Sequence, residues 1–341
     1  MRKLGFLDKI VFICNALAGT ALLLSYLLAF IPPKSFPLLS VLSLGVPVLI
    51  LVNLVFLIYW VIRLKRQFLL SFIVLLVGYN YVSSLYQFSS NTQSSEEEIS
   101  IMSYNVRLFN NYGWTEEKDI PEKITGFIKE NDPDILLTQE HTVDETNLKE
   151  IYPYHFVHRK GENSEFGSAI FSKFPILKQE SIGFPHDGNN NAIYTDLLVK
   201  ADTLRIYNVH FQSLNVKPEI DDLRKEDSKK LLGRIGHGFS LQQEQAEMML
   251  ESVKESSYKT IIAGDFNNTA FSYIYDIIND EERFTDAFLE AGEGFGQTFK
   301  LSYFPLRIDF MFIDTEIQIN AYKRFKNEFS DHYPIMTRIK M

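Results

Sequence analysis

The sequence predicts an α/β or α+β domain carried behind three transmembrane helices, and three observations predict it. Residues 10–31, 36–62 and 68–88 are apolar runs without a single Asp, Glu, Lys or Arg. After them, short apolar runs alternate with longer amphipathic ones, as strands and helices do within one domain. Charge changes at the same place: residues 1–95 hold seven Lys or Arg and one Asp or Glu, whereas the rest hold 27 basic and 42 acidic residues. With 341 residues and 46% hydrophobic content, the chain can build this anchor (residues 1–88), a linker (89–98) and one core-forming domain (99–341).

Each apolar run is about 20 residues or longer, enough to cross about 30 Å of hydrocarbon as a helix. A soluble helix rarely runs so far without a charge. Ala16-Leu17-Ala18 has the small-x-small look of a signal cleavage site, but the run continues past it and two further runs follow. Arg2, Lys3 and Lys9 precede the first run and Arg63, Lys65 and Arg66 separate the second from the third, whereas only Lys34 lies between the first and second. The positive-inside bias then places the N-terminus in the cytoplasm and, after three crossings, the domain outside it. Residues 89–98 fit this as a polar, acidic linker. Pro47 is expected to kink the second helix, and Asn15, Asn53 and Asn80 to form interhelical hydrogen bonds. No intramembrane ionisable residue marks a transport path. The only cysteine, Cys14, excludes an intramolecular disulfide and a Cys-based zinc site.

In the domain, Glu98–Asn105 reads as a strand, Thr115–Asn131 as a helix closed before Pro133, and Asp134–Gln139 and Ser168–Phe171 as buried strands. Ala192–Gln212 reads as two strands joined around Lys200–Thr203. Lys217–Gly238 is charged, with Leu223, Leu231, Leu232 and Ile235 at loosely helical spacing. It is expected to be a solvated helix face, or an excursion that caps a site or approaches the membrane. A helix at Leu241–Val253 leads into a strand at Ile261, and helix Phe271–Ile278 and strands Arg307–Ile313 and Pro334–Met341 follow.

The strand Ile261-Ile262-Ala263 stops at Gly264-Asp265-Phe266-Asn267-Asn268 and delivers a carboxylate and two amides to one loop. Alone this could be an ordinary turn. Four other stretches bear comparable polar groups: Tyr104-Asn105-Val106, Gln139-Glu140, Asn208-Val209-His210 and Ser330-Asp331-His332. Closing the runs into sheets would bring these groups to one rim. Phosphoester cleavage needs such a rim, with oxygen ligands for a divalent cation, an imidazole, and amides for phosphate oxygens. Neither His-x-His nor His-Glu-x-x-His is present to argue for zinc.

Taken in order, Ser103-Tyr104-Asn105-Val106-Arg107, Leu137-Thr138-Gln139-Glu140, Asn208-Val209-His210, Gly264-Asp265-Phe266-Asn267, Arg307-Ile308-Asp309-Phe310 and Ser330-Asp331-His332-Tyr333-Pro334 resemble the endonuclease/exonuclease/phosphatase family over residues 99–339. That family includes deoxyribonuclease-, apurinic endonuclease- and neutral sphingomyelinase-like enzymes. The resemblance implies a four-layer α/β sandwich, two packed mixed β-sheets flanked by helices. It implies Mg²⁺, with Mn²⁺ tolerated, held by Glu140, with Asn105 beside it and Asp331 near. It implies that Asp265 and Asn267 orient the attacking water and the phosphate. His332 is then base or phosphate ligand, with Asp309 holding its tautomer, and His210 the second imidazole. Arg107 stands where apurinic endonucleases carry an acidic residue. His141, next to Glu140, is expected on the opposite face of its strand. His155, His158, His186 and His237 are expected to be structural or solvated.

A phosphoester substrate follows, either a lipid head group or nucleic acid. The acidic domain argues against a high-affinity nonspecific nuclease, although residues 322–326 form a small basic patch. A membrane tether raises the local concentration of lipid phosphodiesters. Two other classes of function remain in view: an inactive fold member that binds a phosphorylated ligand or a protein, and a small transporter with an accessory domain.

Overall fold

The computed structural model describes residues 4–88, 97–142, 148–159, 166–185, 190–214, 227–279, 282–301 and 304–341. Most of the expected linker, His186 and Leu223 lie outside the described residues.

The region expected to be the anchor, and called so below, comprises α1 (Phe6–Ser25), continued as a 3₁₀ turn to Phe30, then α2 (Pro37–Ser40), a 3₁₀ turn, α3 (Val46–Ile62), α4 (Phe68–Val77) and α5 (Tyr79–Leu85). Two stretches, Phe6–Phe30 and Pro37–Ile62, are long and apolar enough to cross a bilayer. The third expected span is broken: α4 and α5 meet at 82°. Packing explains the break, because a Cβ on Gly78 would lie 2.0 Å from the Tyr26 ring. That ring stacks on Tyr81 at 4.8 Å, and its hydroxyl donates to the Val74 carbonyl at 3.2 Å. Pro47 sits in the first turn of α3, where its missing N–H needs no partner, and the residues before it are 3₁₀. Asn15 donates to Ser71 at 2.7 Å and accepts from Trp60 at 2.9 Å, and Asn53 donates to the Ala18 carbonyl at 3.2 Å. Asn80, by contrast, is exposed. Asp8 and Arg63 pair at 3.1 Å, joining the start of α1 to the end of α3.

Strand β1 (Tyr86–Gln87) leads out of the anchor. The domain then runs β2 (Ile99–Asn105), α6 (Ile120–Asn131), β3 (Ile135–Thr142), α7 (Leu148–Ile151), β4 (Tyr154–Arg159), β5 (Phe166–Ser172), β6 (Ile176–Ile182), β7 (Asn191–Val199) and β8 (Asp202–His210). It continues with α8 (Ser228–Lys254), β9 (Lys259–Asp265), α9 (Tyr273–Ile278), β10 (Phe284–Asp286), α10 (Ala287–Ala291), β11 (Gly294–Phe295), β12 (Phe299–Leu301), β13 (Phe304–Leu306), β14 (Asp309–Asp314), β15 (Gln318–Arg324) and β16 (Ile335–Lys340).

Two six-stranded sheets, ordered β10-β14-β9-β8-β7-β6 and β15-β16-β2-β3-β5-β4, face each other. Both are mixed, with β8 parallel to β9 and β2 parallel to β3. Ile101, Leu137, Ile206, Ile261, Met311 and Ile335 fill the space between them. Ala246, Met249 and Val253 of α8 cover the outer face of one sheet, and Ile120, Ile124 and Ile128 of α6 cover the other. The four-layer architecture is therefore as expected.

Two helix boundaries differ from expectation. The helix expected from Thr115 starts at Ile120, because the Asn110 amide donates to the Thr115 and Glu117 carbonyls and holds that segment as a loop. Residues 228–254 form one helix, not two, capped by Asp227, whose carboxylate accepts from the Lys229 and Lys230 amides.

The domain seats on the end of the anchor that carries the α1–α2 turn. The Lys34 amide donates to Gln243 at 2.8 Å, and Ser240 donates to the Pro33 carbonyl at 2.9 Å. A Cβ on Gly236 would lie 3.0 Å from Pro37, so this glycine admits α8 close to the anchor. Phe271 packs in the anchor core with Leu22, Tyr26, Val46 and Leu85. β1 pairs with β11, and Arg307, buried in a pair with Asp286, reaches the Ser84 carbonyl at 3.5 Å.

Gly264 adopts φ +143° beside β8, where a Cβ would fall 2.0 Å from the Val209 carbonyl oxygen. Gly264→Ala is expected to cost at least the roughly 1–3 kcal/mol of such backbone strain, read as a lowered midpoint in chemical denaturation. An unchanged midpoint would show that β8 and β9 can separate freely.

Candidate active site

Strand alternation sets which side chains meet. Ile99 and Ile101 of β2 lie between the sheets, and Ser103 and Asn105 continue their face. Likewise Leu204 and Ile206 lead to Asn208 and His210 in β8, and Ile261 and Ala263 to Asp265 in β9. In β14, Asp309 precedes Met311 and Ile313 on the same face. Neutral amides separate this apolar floor from the rim. Gln139 Nε2 donates to Asn208 Oδ1 at 2.7 Å and to Ser103 Oγ at 3.1 Å, while Asn208 Nδ2 donates to the Thr138 and Ala169 carbonyls.

Glu140 breaks the alternation. Its φ is +51°, and the β3–β5 register shifts between Thr138 and His141. A left-handed non-glycine residue inside a strand stores about 1–3 kcal/mol of strain. His141 packs between Phe109 and Phe171, with a ring nitrogen 3.0 Å from Thr138 Oγ1.

Seven expected residues gather on the rim. Asn105 Nδ2 donates to Asp265 Oδ2 at 3.0 Å and to Glu140 Oε1 at 3.3 Å. The Asn267 backbone amide donates to Asp265 Oδ1 at 2.9 Å, and its side chain donates to the Phe211 carbonyl at 3.0 Å. His332 Nδ1 lies 2.9 Å from Asp309 Oδ2, and its Nε2 lies 3.7 Å from Asp265 Oδ2. His210 Nε2 is 3.8 Å from Glu140 and 3.9 Å from Asp265. Asp331 stands at the edge with its Oδ2 3.2 Å from Arg107 Nε, so a cation on the chain itself already faces it.

Burial and neighbours set the charges. Burial pushes the Asp265 carboxyl up to about 7, Asp309 adds to this, and the His332 charge opposes it. Burial also raises Glu140. For His332, burial acts downward, but the carboxylates of Asp309 and Asp265 outweigh it and hold the imidazole up at about 10. His210 is lowered to about 3, by burial first and then by the His332 charge. The pair is thus one charged and one neutral imidazole.

The donor set fits a divalent cation. Asp265, Asp309 and His332 offer ligand atoms within 4.8 Å of one another. Because His332 Nδ1 is engaged by Asp309, we read those two as an oriented pair, leaving Glu140, Asn105 and Asp265 facing one another. The Asn105 amide group lies between two carboxylates, where a positive partner belongs. Both ring nitrogens of His210 are buried without a hydrogen-bond partner among the described residues.

The sequence model of the Endonuclease/Exonuclease/phosphatase family matches residues 102–332. The chain belongs to this family. A model of a domain of unknown function, DUF8431, matches residues 8–85. No curated protein matches the sequence. Among solved structures, the chain is similar to an endonuclease/exonuclease/phosphatase from Bacteroides vulgatus, with TM-score 0.55, 17% identity, and coverage of 72% of this chain and 100% of that one. It is also similar to a Bacteroides thetaiotaomicron mannosyl-6-phosphatase, with TM-score 0.53, 19% identity and coverage of 71% and 100%. A third is Danio rerio TDP2 complexed with single strand DNA product, with TM-score 0.54, 15% identity and coverage of 72% and 100%. At these identities the likeness is one of fold.

Thr298 and Gln242, outside the motifs, and Ser330, within one, brace the rim. Thr298 Oγ1 accepts the backbone amides of both Ile308 and Asp309 at 3.0 Å. Ser330 Oγ donates to the Asn105 carbonyl at 2.8 Å, and Gln242 Nε2 donates to the Asn267 carbonyl at 3.0 Å. Thr298 and Gln242 lie far from the groups they hold along the chain, so no local pattern marks them.

A group raised above its unfolded pKa, near 6.5 for His, stabilises fully below that value and less as pH rises toward the folded one, here about 10. In metal-free protein, His332 is expected to stay protonated through pH 8 by NMR. Asp309→Asn should bring its titration down by more than one pH unit. An imidazole that titrates near 6.5 in both proteins would refute the pairing.

Proposed function

We propose that the chain is a membrane-anchored, divalent-metal-dependent phosphoesterase that hydrolyses a phosphodiester by attack of water. The carrying observation is the convergence of Asn105, Glu140, His210, Asp265, Asn267, Asp309 and His332 on one rim. Glu140 and Asp265 would hold the ion with Asn105 beside them, and such carboxylate oxygens suit Mg²⁺, with Mn²⁺ tolerated. When bound, it supplies charge stabilisation to the phosphoryl oxygens and a more acidic water. Asp265 and Asn267 orient the attacking water and the phosphate. His332, held by Asp309, presents Nε2–H to a phosphoryl oxygen, and the neutral His210 provides the second imidazole for proton transfer. Asp331 holds Arg107 at the mouth. All motif positions are filled, which favours turnover over a binding-only role.

Two apolar helices of membrane-spanning length support an integral anchor. Arg63, Lys65 and Arg66 lie between α3 and α4, and the domain seats on the opposite end, beside residues 33–37. The broken third run still carries the chain from the basic end to the domain. The positive-inside bias then favours a cytoplasmic N-terminus and an extracytoplasmic domain. The mannosyl-6-phosphatase and the TDP2–DNA complex bring sugar phosphates and nucleic acid within the family's range.

Purified full chain is expected to release p-nitrophenolate from bis-p-nitrophenyl phosphate with Mg²⁺ and not with EDTA. Glu140→Gln and His332→Gln should each lower kcat by about 10²–10⁴-fold with the circular dichroism spectrum retained. Full activity in either variant, or turnover indifferent to EDTA, would sink the reading.

A further inference from the structure

The chain segments that adjoin the rim groups are the same segments that seat the domain on its anchor. Asn267 precedes by four residues Phe271, which lies in the anchor core, and four residues span at most about 14 Å. Asp309 follows by two residues Arg307, which reaches the Ser84 carbonyl of α5. Leu214, just past His210 and Phe211, packs with Val41 and Leu44 of the anchor and Phe239 of α8. One small cavity is lined jointly by Pro47 and Leu85 of the anchor and by Thr269, Phe271, Gly296 and Leu306 of these loops.

The anchor at this level is built for lipid. Phe36, Leu38, Leu39 and Leu42 are 57%, 63%, 40% and 57% exposed, and they belong to the same turns whose Pro37 and Val41 touch α8. Beside that contact α8 exposes Leu232, with Lys229 one turn before it, the pairing of apolar and basic side chains that suits a bilayer interface. A cleft of about 840 Å³ opens at the same junction, with Phe30, Tyr79 and Asn80 on the anchor side and Ala270, Ser272 and Asp276 on the domain side. At the far end of β9, Tyr258 is exposed and the residues beside it bond within the domain.

We infer that the active-site rim faces the bilayer surface from which the anchor emerges, and that the substrate is an amphiphilic phosphoester whose apolar part stays in the leaflet. The inference rests on the phosphoesterase reading above. Water's oxygen bonds to phosphorus, the P–O bond to the leaving group breaks, and the water proton passes to a base. The phosphate centre is brought to the rim by the lipid in which it is embedded, so an acidic domain need not recruit a soluble polyanion against its own charge.

The full chain, reconstituted in phosphatidylcholine vesicles with Mg²⁺, would be given methyl p-nitrophenyl phosphate and hexadecyl p-nitrophenyl phosphate. The two share one reacting centre and one leaving group, and only the second inserts in the bilayer. Release from the hexadecyl ester is expected to be at least ten-fold faster at equal total concentration. Cleavage of the methyl ester at an equal or higher rate would overturn the inference and leave the phosphoesterase reading standing. Cleavage of neither ester would overturn both. Independently, nitroxide labels on Leu232→Cys and Tyr258→Cys, each in a Cys14→Ser background, report depth. The label at 232 should be shielded from an aqueous nickel relaxer and that at 258 open to it. Equal access would overturn the inference.

Discussion

The inner faces of β2, β8, β9 and β14 carry apolar side chains at one end and polar ones at the other, ionisable in β8, β9 and β14, and the amides of Gln139 and Asn208 separate the two. The rest of the site depends on this ordering. Side chains two residues apart share a face, so a strand that buries Ile261 and Ala263 must also aim Asp265 into the gap between the sheets. The neutral layer offsets much of the cost of burying polar groups, because the Gln139 and Asn208 NH₂ groups find carbonyl, hydroxyl or amide partners before the charged rim begins, while Gln139 Oε1 has none among the described residues. The carboxylates above can then be held close together by rigid strands and not by mobile loops.

Such closeness has an electrostatic consequence. Asp265 and Glu140 are both pushed toward their neutral forms by burial, and the charges nearby that oppose this are His332 and, for Glu140, Arg107. A site of this kind takes up positive charge, whether as a proton, a cation or a basic side chain. Asp309 fixes one proton on His332, and Arg107 occupies Asp331. Glu140 and Asp265 face one another across the Asn105 amide, with His332 Nε2 3.7 Å from Asp265, and their carboxylate oxygens are of the kind that takes up a divalent cation.

Anchor and domain are joined by polar and apolar contacts together. Lys34, Pro33 and Pro37 meet α8, Phe271 enters the anchor core, and the buried Arg307–Asp286 pair sits beside the Ser84 carbonyl. Removing one partner of a buried ion pair costs about 3–5 kcal/mol, so loss of Arg307 or Asp286 would destabilise the domain beside this junction. Asp309 and Asn267 lie within a few residues of these contacts, so the N-terminal helices pack close to chain segments that bear two of the rim groups.

Much of this was legible in the sequence because it is local. Apolar runs ending in Asn105, Glu140, His210 and Asp265 revealed the strands and their polar ends, and the ordered motifs carried the family and the four-layer fold. Uncharged runs marked the anchor. What depends on contacts between distant residues was not legible. The third run reads as one span by composition, but the Tyr26 ring, more than fifty residues away, decides that the chain bends at Gly78. Glu140 reaches the rim only through a left-handed residue that no hydropathy pattern reports, and Thr298 and Gln242 support Asp309 and Asn267 across the fold. The sequence by itself determined which chemical groups are present and which strands bear them, since period and propensity are properties of neighbours in the chain. Only the tertiary structure decided which carboxylate pairs with which imidazole and which rim groups meet, because those depend on distances set by packing between elements far apart in the chain.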